Sequence, residues 1–287
     1  MTTLLVGFDS AWTPNNSGAL VGVLRLSEGT FRYLGAPQIA KYPEAENAIR
    51  KWQTEYVPRA TIILLDQPTI VENAAGQRPV EKIVGSLVSR RHGGMQPANT
   101  SKGKMFGKEA PLWPFLAQFG GPADPLKPVA GTRVFETYPV LAMIALDWMQ
   151  PKSRRLPKYN PRRKKTFSIS DWKHVCERAS DAFRDLGLMD LVRWINAAAQ
   201  NPSPQKSDQD GLDACLCLLV ALYLAEGKDC LMVGDLGTGY IVVPYDDALR
   251  EELDTRCKQI DLVPSKWVRA FKMDSSRVMG HSERMLP

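Results

Sequence analysis

The feature that most restricts the fold is a short apolar run, Leu4 to Phe8, that stops on an acid, Asp9. The pattern recurs at Thr61 to Leu65 before Asp66, and at Thr132 to Phe135 before Glu136. Strands apolar on both faces belong in the middle of a sheet covered on both sides. An acid closing such a strand lies at its carboxyl end, where side chains of neighbouring strands converge on one crevice.

The segments between these runs set an order. Gly18 to Leu26 and Thr30 to Leu34 are β-rich and separated by Ser27-Glu28-Gly29, so the first three strands read as an antiparallel meander. Tyr42 to Val57 has Pro43 in its first turn and Ala45, Ala48, Ile49 and Trp52 at helical spacing. Further helices are expected at Glu81–Arg91, at Val140–Met149 after Pro139, from Ser170 as N-cap to about Leu186, and at Met189–Ala199. Ser207 or Asp208 is expected to cap a helix holding Asp210, Asp213 and the apolar run to Ala225; two strands, Cys230–Val233 and Tyr240–Val243, and an amphipathic helix from Asp246 follow.

With 287 residues, 44% of them hydrophobic, the chain can bury a large core, and it reads as a single α/β domain over residues 1–287. Two elaborations interrupt it: a loop-rich region at about 92–128 and a basic helical and loop insertion at about 150–206. The first residues contain no basic leader, and the longest apolar stretch, Leu212–Ala225, contains Asp213, so neither a signal peptide nor a membrane span is expected. Five cysteines without paired spacing suit a reducing cytoplasm and argue against a zinc site.

Chemistry is concentrated in the acids. Asp210 and Asp213 are three apart, so a helix presents both from one face near its N-terminus. Asp210 taken alone is equally an ordinary first-turn acid. Asp213 opens the apolar face itself, where an unpaired carboxylate is costly. Asp9 and Asp66 each have a turn-forming alternative, but three strand-end acids and a helical pair together point to one pocket. Such a cluster needs cations, and hard oxygen ligands suit Mg²⁺ or Mn²⁺ in phosphodiester hydrolysis.

The segments GFDSAW at 7–12, LLDQP at 64–68, ETYP at 136–139 and DGLDA at 210–214 resemble the marks of domain-of-unknown-function family 429, described as predicted RNase H-fold nucleases. The resemblance spans roughly Leu4 to Pro244 and lies in the ordered set. Gln67 departs from it, standing where many relatives have a small or aliphatic residue, and the basic segment is heavier than expected. It implies an RNase H-like mixed sheet, three antiparallel strands followed by parallel ones, with helices on both faces. It also implies Asp9 as first-strand metal ligand, Asp66 as fourth-strand acid, Asp213 as helix ligand assisted by Asp210, and Glu136 in the family's Glu-x-x-Pro motif.

The net charge of +6 is modest, but Lys152 to Lys165 contains eight basic residues and no acid. Lys158, Arg162, Arg163, Lys164 and Lys165, with Tyr159 and Phe167 nearby, are candidate contacts to nucleic-acid phosphates and bases. Arg90 and Arg91, with Arg78, Lys102, Lys104 and Lys108, are expected on the other wall of a groove. Gly234, Gly237 and Gly239 read as a hairpin connection rather than a phosphate nest, and none of the three histidines is assigned a catalytic role. The leading expectation is a metal-dependent nuclease acting on DNA or RNA. The alternatives are a non-catalytic nucleic-acid-binding module and a nucleotide-binding protein of the actin and sugar-kinase type, which normally needs a second such half.

Overall fold

The computed structural model describes residues 2–92, 95–127 and 131–273, with the backbone alone at 86 and 89–92. The first sheet contains β1 (Thr3–Asp9), β2 (Gly18–Ser27), β3 (Thr30–Tyr33), β5 (Ala60–Leu65) and β6 (Gly131–Glu136) in the order β3-β2-β1-β5-β6, with β4 (Gln38–Ala40) also on β2. β1, β2 and β3 pair antiparallel, while β1, β5 and β6 run parallel. This mixed sheet is the arrangement expected of an RNase H-like α/β core.

Helices cover both faces. Leu4, Val6, Phe8, Ile63, Leu65 and Val134 face α1 (Tyr42–Tyr56) and the short helices α3 (Gly103–Phe106) and α4 (Leu112–Gln118), all within one apolar cluster. Leu5, Ile62, Leu64 and Phe135 face the other way, into a cluster with α2 (Pro79–His92), α5 (Pro139–Ala145), α6 (Ile169–Asp185), α7 (Met189–Gln200) and α8 (Lys206–Ala225). From Leu212 to Leu222 α8 is buried on every side, as an all-round apolar helix must be. No described helix is long and apolar enough to cross a membrane.

One contact sets the position of α8. A Cβ placed on Gly7 would lie 2.1 Å from the Ala214 carbonyl oxygen and 2.4 Å from the Leu218 nitrogen, so the strand and helix backbones touch there. The first turns of α8 are thereby pinned beside the ends of β1 and β5.

Several boundaries differ from expectation. Ser168, not Ser170, caps α6, its hydroxyl accepting from the Asp171 N–H at 3.3 Å. Gln205, not Ser207 or Asp208, caps α8, and the Asp208 carboxylate returns to the Gln205 N–H at 2.7 Å in a capping box. The expected loop region holds α3 and α4 because Phe106, Leu112, Phe115 and Leu116 cover the α1 face of the sheet. The helix after Pro139 stops at Ala145, and Asp147 nearby takes a left-handed φ of 55°. A second sheet, unforeseen as such, joins β7 (Cys230–Asp235), β8 (Gly239–Pro244) and β9 (Val268–Phe271) in the order β8-β7-β9. The glycine-rich stretch is the β7–β8 hairpin, and α9 (Asp247–Gln259) and α10 (Pro264–Trp267) complete the chain's described part.

Gly7→Ala should therefore destabilise the protein by about 1–3 kcal/mol or more in urea unfolding, because one of the two backbones must shift to admit the methyl. Gly85→Ala, whose new methyl would meet the Gln77 amide at 3.6 Å as its nearest contact among the described residues outside its own helix backbone, should be neutral or slightly stabilising. Equal effects at the two sites would refute the backbone contact.

Candidate active site

Parallel pairing aligns the strand ends. Phe8 is level with Leu65, and Leu65 with Glu136. One residue further on, the Asp66 N–H donates to the Phe8 carbonyl at 2.9 Å and the Thr137 N–H to the Leu65 carbonyl at 3.0 Å. Because strand side chains alternate, Asp9 and Asp66 continue the side of Gly7 and Leu64, which α8 covers. Asp210 and Asp213 project from the first turns of α8 into the same cavity, of about 650 Å³.

Glu136 is one residue out of this row. It continues the pleat of Leu65 and Val134, and both its oxygens are taken by the wholly buried Arg78, at 2.6 and 2.9 Å, with a further 3.0 Å bond from the Thr69 N–H. Arg78 also bonds Glu81 at 2.9 Å. Burial depresses the proton affinity of this guanidinium, but Glu136 and Glu81 outweigh that and hold it above its usual range. Glu136 thus borders the cavity as part of a fixed ionic frame, and Thr137 takes its place in the row, donating to the Val242 carbonyl at 2.8 Å. Arg78, expected on a groove wall, is instead a core residue of that frame.

The remaining acids are mutually repulsive. Burial, then Asp66 and Asp213, raise the Asp9 carboxyl well above the ordinary range; burial, then Asp213, do the same to Asp66. Asp213 is pushed up to about 6, chiefly by burial, against the pull of Lys206 and the Tyr159 hydroxyl. Its oxygens accept from Tyr159 at 2.6 Å and from the Gln209 amide at 2.7 Å. Lys206 bonds Asp210 one helical turn away. Burial lowers the lysine's proton affinity, yet Asp9, Asp213 and Asp210 together lift it above its usual value.

The basic segment folds over this cavity as a strap between α5 and α6. Arg155 fixes its base through Asp171 at 3.0 Å, and the Lys158 N–H adds a 2.6 Å bond to the same carboxylate. Tyr159, expected as a base-stacking side chain, is buried with its hydroxyl on Asp213. Arg162 and Arg163 stand in the cavity wall, whereas Lys164 and Lys165 continue the exposed turn. Arg90 and Arg91 lie on the last turn of α2, and their side chains are outside the described residues, as is that of His92. Lys102 donates to the Pro97 carbonyl at 2.5 Å, and Lys104 and Lys108 are exposed.

Sequence reasoning passed over Lys206, Gln209 and the Tyr159 hydroxyl. The four-residue step from Lys206 to Asp210 is an i,i+4 pair, but it becomes visible only when the helix begins at Lys206. Among the described residues no three Asp, Glu, His or Cys side chains form a ready-made metal cage. The donor set is nonetheless entirely carboxylate oxygen, which matches a hard divalent ion, and Mg²⁺ is commonly held by one or two carboxylates with water filling its shell.

Residues 7–235 match the family described as "Protein of unknown function (DUF429)", and the chain belongs to that family. No curated protein and no solved structure matches the chain.

The raised carboxyl groups fix the sign of a pH effect. In chelator, the folded protein holds protons near pH 6 that an unfolded carboxyl, at about 3.9, has lost, so stability falls as pH rises through about 6. The melting temperature should rise between pH 7.5 and 5.5. Asp66→Asn should be more stable than the parent at pH 7.5 by a few degrees, at about 2–4 °C per kcal/mol, because it removes a buried repulsive charge. A parent melting curve that is flat over this window, or an Asp66→Asn variant that melts lower, would contradict the electrostatic reading.

Proposed function

We propose that the protein is a divalent-metal-dependent nuclease that hydrolyses phosphodiester bonds in nucleic acid. The observation behind this reading is the meeting of Asp9, Asp66 and Asp213, from two strand ends and one helix, in a cavity that Arg162 and Arg163 also line. Asp9, Asp66 and Asp213 would hold Mg²⁺ or Mn²⁺. When bound, the ion supplies Lewis-acid activation of water and stabilisation of the leaving oxygen.

The chain's own groups do the rest. Tyr159 donates to one oxygen of Asp213 and Gln209 to the other, holding that carboxylate in one orientation. Arg162 and Arg163 place the anionic backbone by charge, which positions a substrate without reading its sequence. Arg78 binds both oxygens of Glu136 beside the cavity, so that acid adds structure rather than ligand capacity. The five free, buried thiols favour a reducing compartment, and we place the protein in the cytoplasm on that ground.

Cleavage of single-stranded, duplex and branched oligonucleotides with Mn²⁺ should fall by at least about 10³-fold in Asp9→Asn and Asp213→Asn, with folding retained. Arg162→Ala/Arg163→Ala should weaken binding and flatten its salt dependence by about two phosphate contacts. Glu136→Gln should act differently, lowering the melting temperature by disrupting the two charge-assisted hydrogen bonds that tie β6 to Arg78, although Glu81 still balances the guanidinium. Salt-dependent binding untouched by the Asp substitutions, with no cleavage of any substrate, would instead indicate a non-catalytic binding module.

A further inference from the structure

Lys206 is the unexpected member of the acidic cavity. Its ammonium bonds Asp210, its side chain is 31% exposed, and it belongs to the first turn of the helix that presents Asp210 and Asp213. An i,i+4 pair on an open helix surface would be worth little and would point away from other charges. Here the pair opens into the cavity that also holds Asp9, Asp66 and Asp213.

Two-metal phosphodiesterases place their ions about 4 Å apart within one carboxylate cluster. In this protein the Asp210 side of the cluster already has a cation covalently tethered to the chain. Among the described residues, Asp210 is the acid of this group that forms a salt bridge, while Asp9, Asp66 and Asp213 feel the Lys206 charge without a direct ion pair, which leaves their oxygens for a single ion completed by water. A second divalent ion at Asp210 would have to displace the ammonium or sit against it.

We propose, building on the metal-dependent reading above, that Lys206 takes the place of one divalent cation, so that the site binds a single metal ion and Asp210 serves the lysine rather than the metal. Lys206 would then also be available from α8 to contact a phosphate oxygen. Arg162 and Arg163 approach from the strap rather than from α8.

The test is the number of Mn²⁺ ions bound per chain, measured by calorimetric titration and by electron paramagnetic resonance of free Mn²⁺. The expected values are about one for the parent, about two for Lys206→Ala and Lys206→Met, and about one for Lys206→Arg. Asp210→Asn should leave the parent value unchanged, and this variant guards against misfolding of the lysine variants. Two ions in the parent, no gain on removing the ammonium, or loss of the parent's ion in Asp210→Asn would each overturn the proposal. A parent that binds none, with Lys206→Ala binding one, would refute the metal-dependent nuclease reading while upholding the lysine's role as a cation substitute.

Discussion

Everything near the cavity depends on the backbone contact at Gly7. With no side chain in the way, α8 lies directly on β1, and the helix's first two turns overhang the strand ends. Any larger residue would lift α8 and carry Asp213 away from Asp9 and Asp66. The apolar body of α8, buried from Leu212 to Leu222, supplies the adhesion: at about 1.5–3 kcal/mol for each fully buried large side chain, its packing can offset the cost of holding carboxylates together at one end. The core is stable so that the strand ends need not be.

Around that contact two polar systems divide the work. The Arg78–Glu81–Glu136 frame shares one guanidinium between two carboxylates and commits its hydrogen bonds internally, so it fixes the ends of β6 and α2 against each other. The Asp9–Asp66–Asp213 group is the opposite, a set of buried like charges relieved only partly by Lys206 and by the Tyr159 and Gln209 donors. The strap supplies Tyr159 to this group and leaves Arg162 and Arg163 at the opening, tying the basic segment to the acids it covers.

The central strands and the meander were legible because a doubly buried strand must be apolar throughout and the turns between strands carry their own residues. Asp9, Asp66 and Asp213 were legible for the same reason: each interrupts an apolar run. The Arg78 partnership of Glu136 was not legible, because the sequence shows where a strand ends but not its register, and Glu136 stands one residue out of the row that Asp9, Asp66 and Thr137 form. Lys206 and Tyr159 were hidden by a helix whose expected cap, Ser207 or Asp208, lies two or three residues past Gln205, and by a strap whose path follows tertiary contacts with Asp171. The small β7–β8–β9 sheet was only half visible, since β9 is four residues long and separated from β8 by α9 and α10.

The most direct measurement is the anomalous scattering of Mn²⁺ in crystals grown with the ion and without a phosphate ligand. The account predicts one peak, in direct coordination range of about 2.0–2.3 Å from carboxylate oxygens drawn from Asp9, Asp66 and Asp213, with Lys206 still on Asp210. A peak bound by Glu136, or no peak in the cavity at millimolar Mn²⁺, would contradict it.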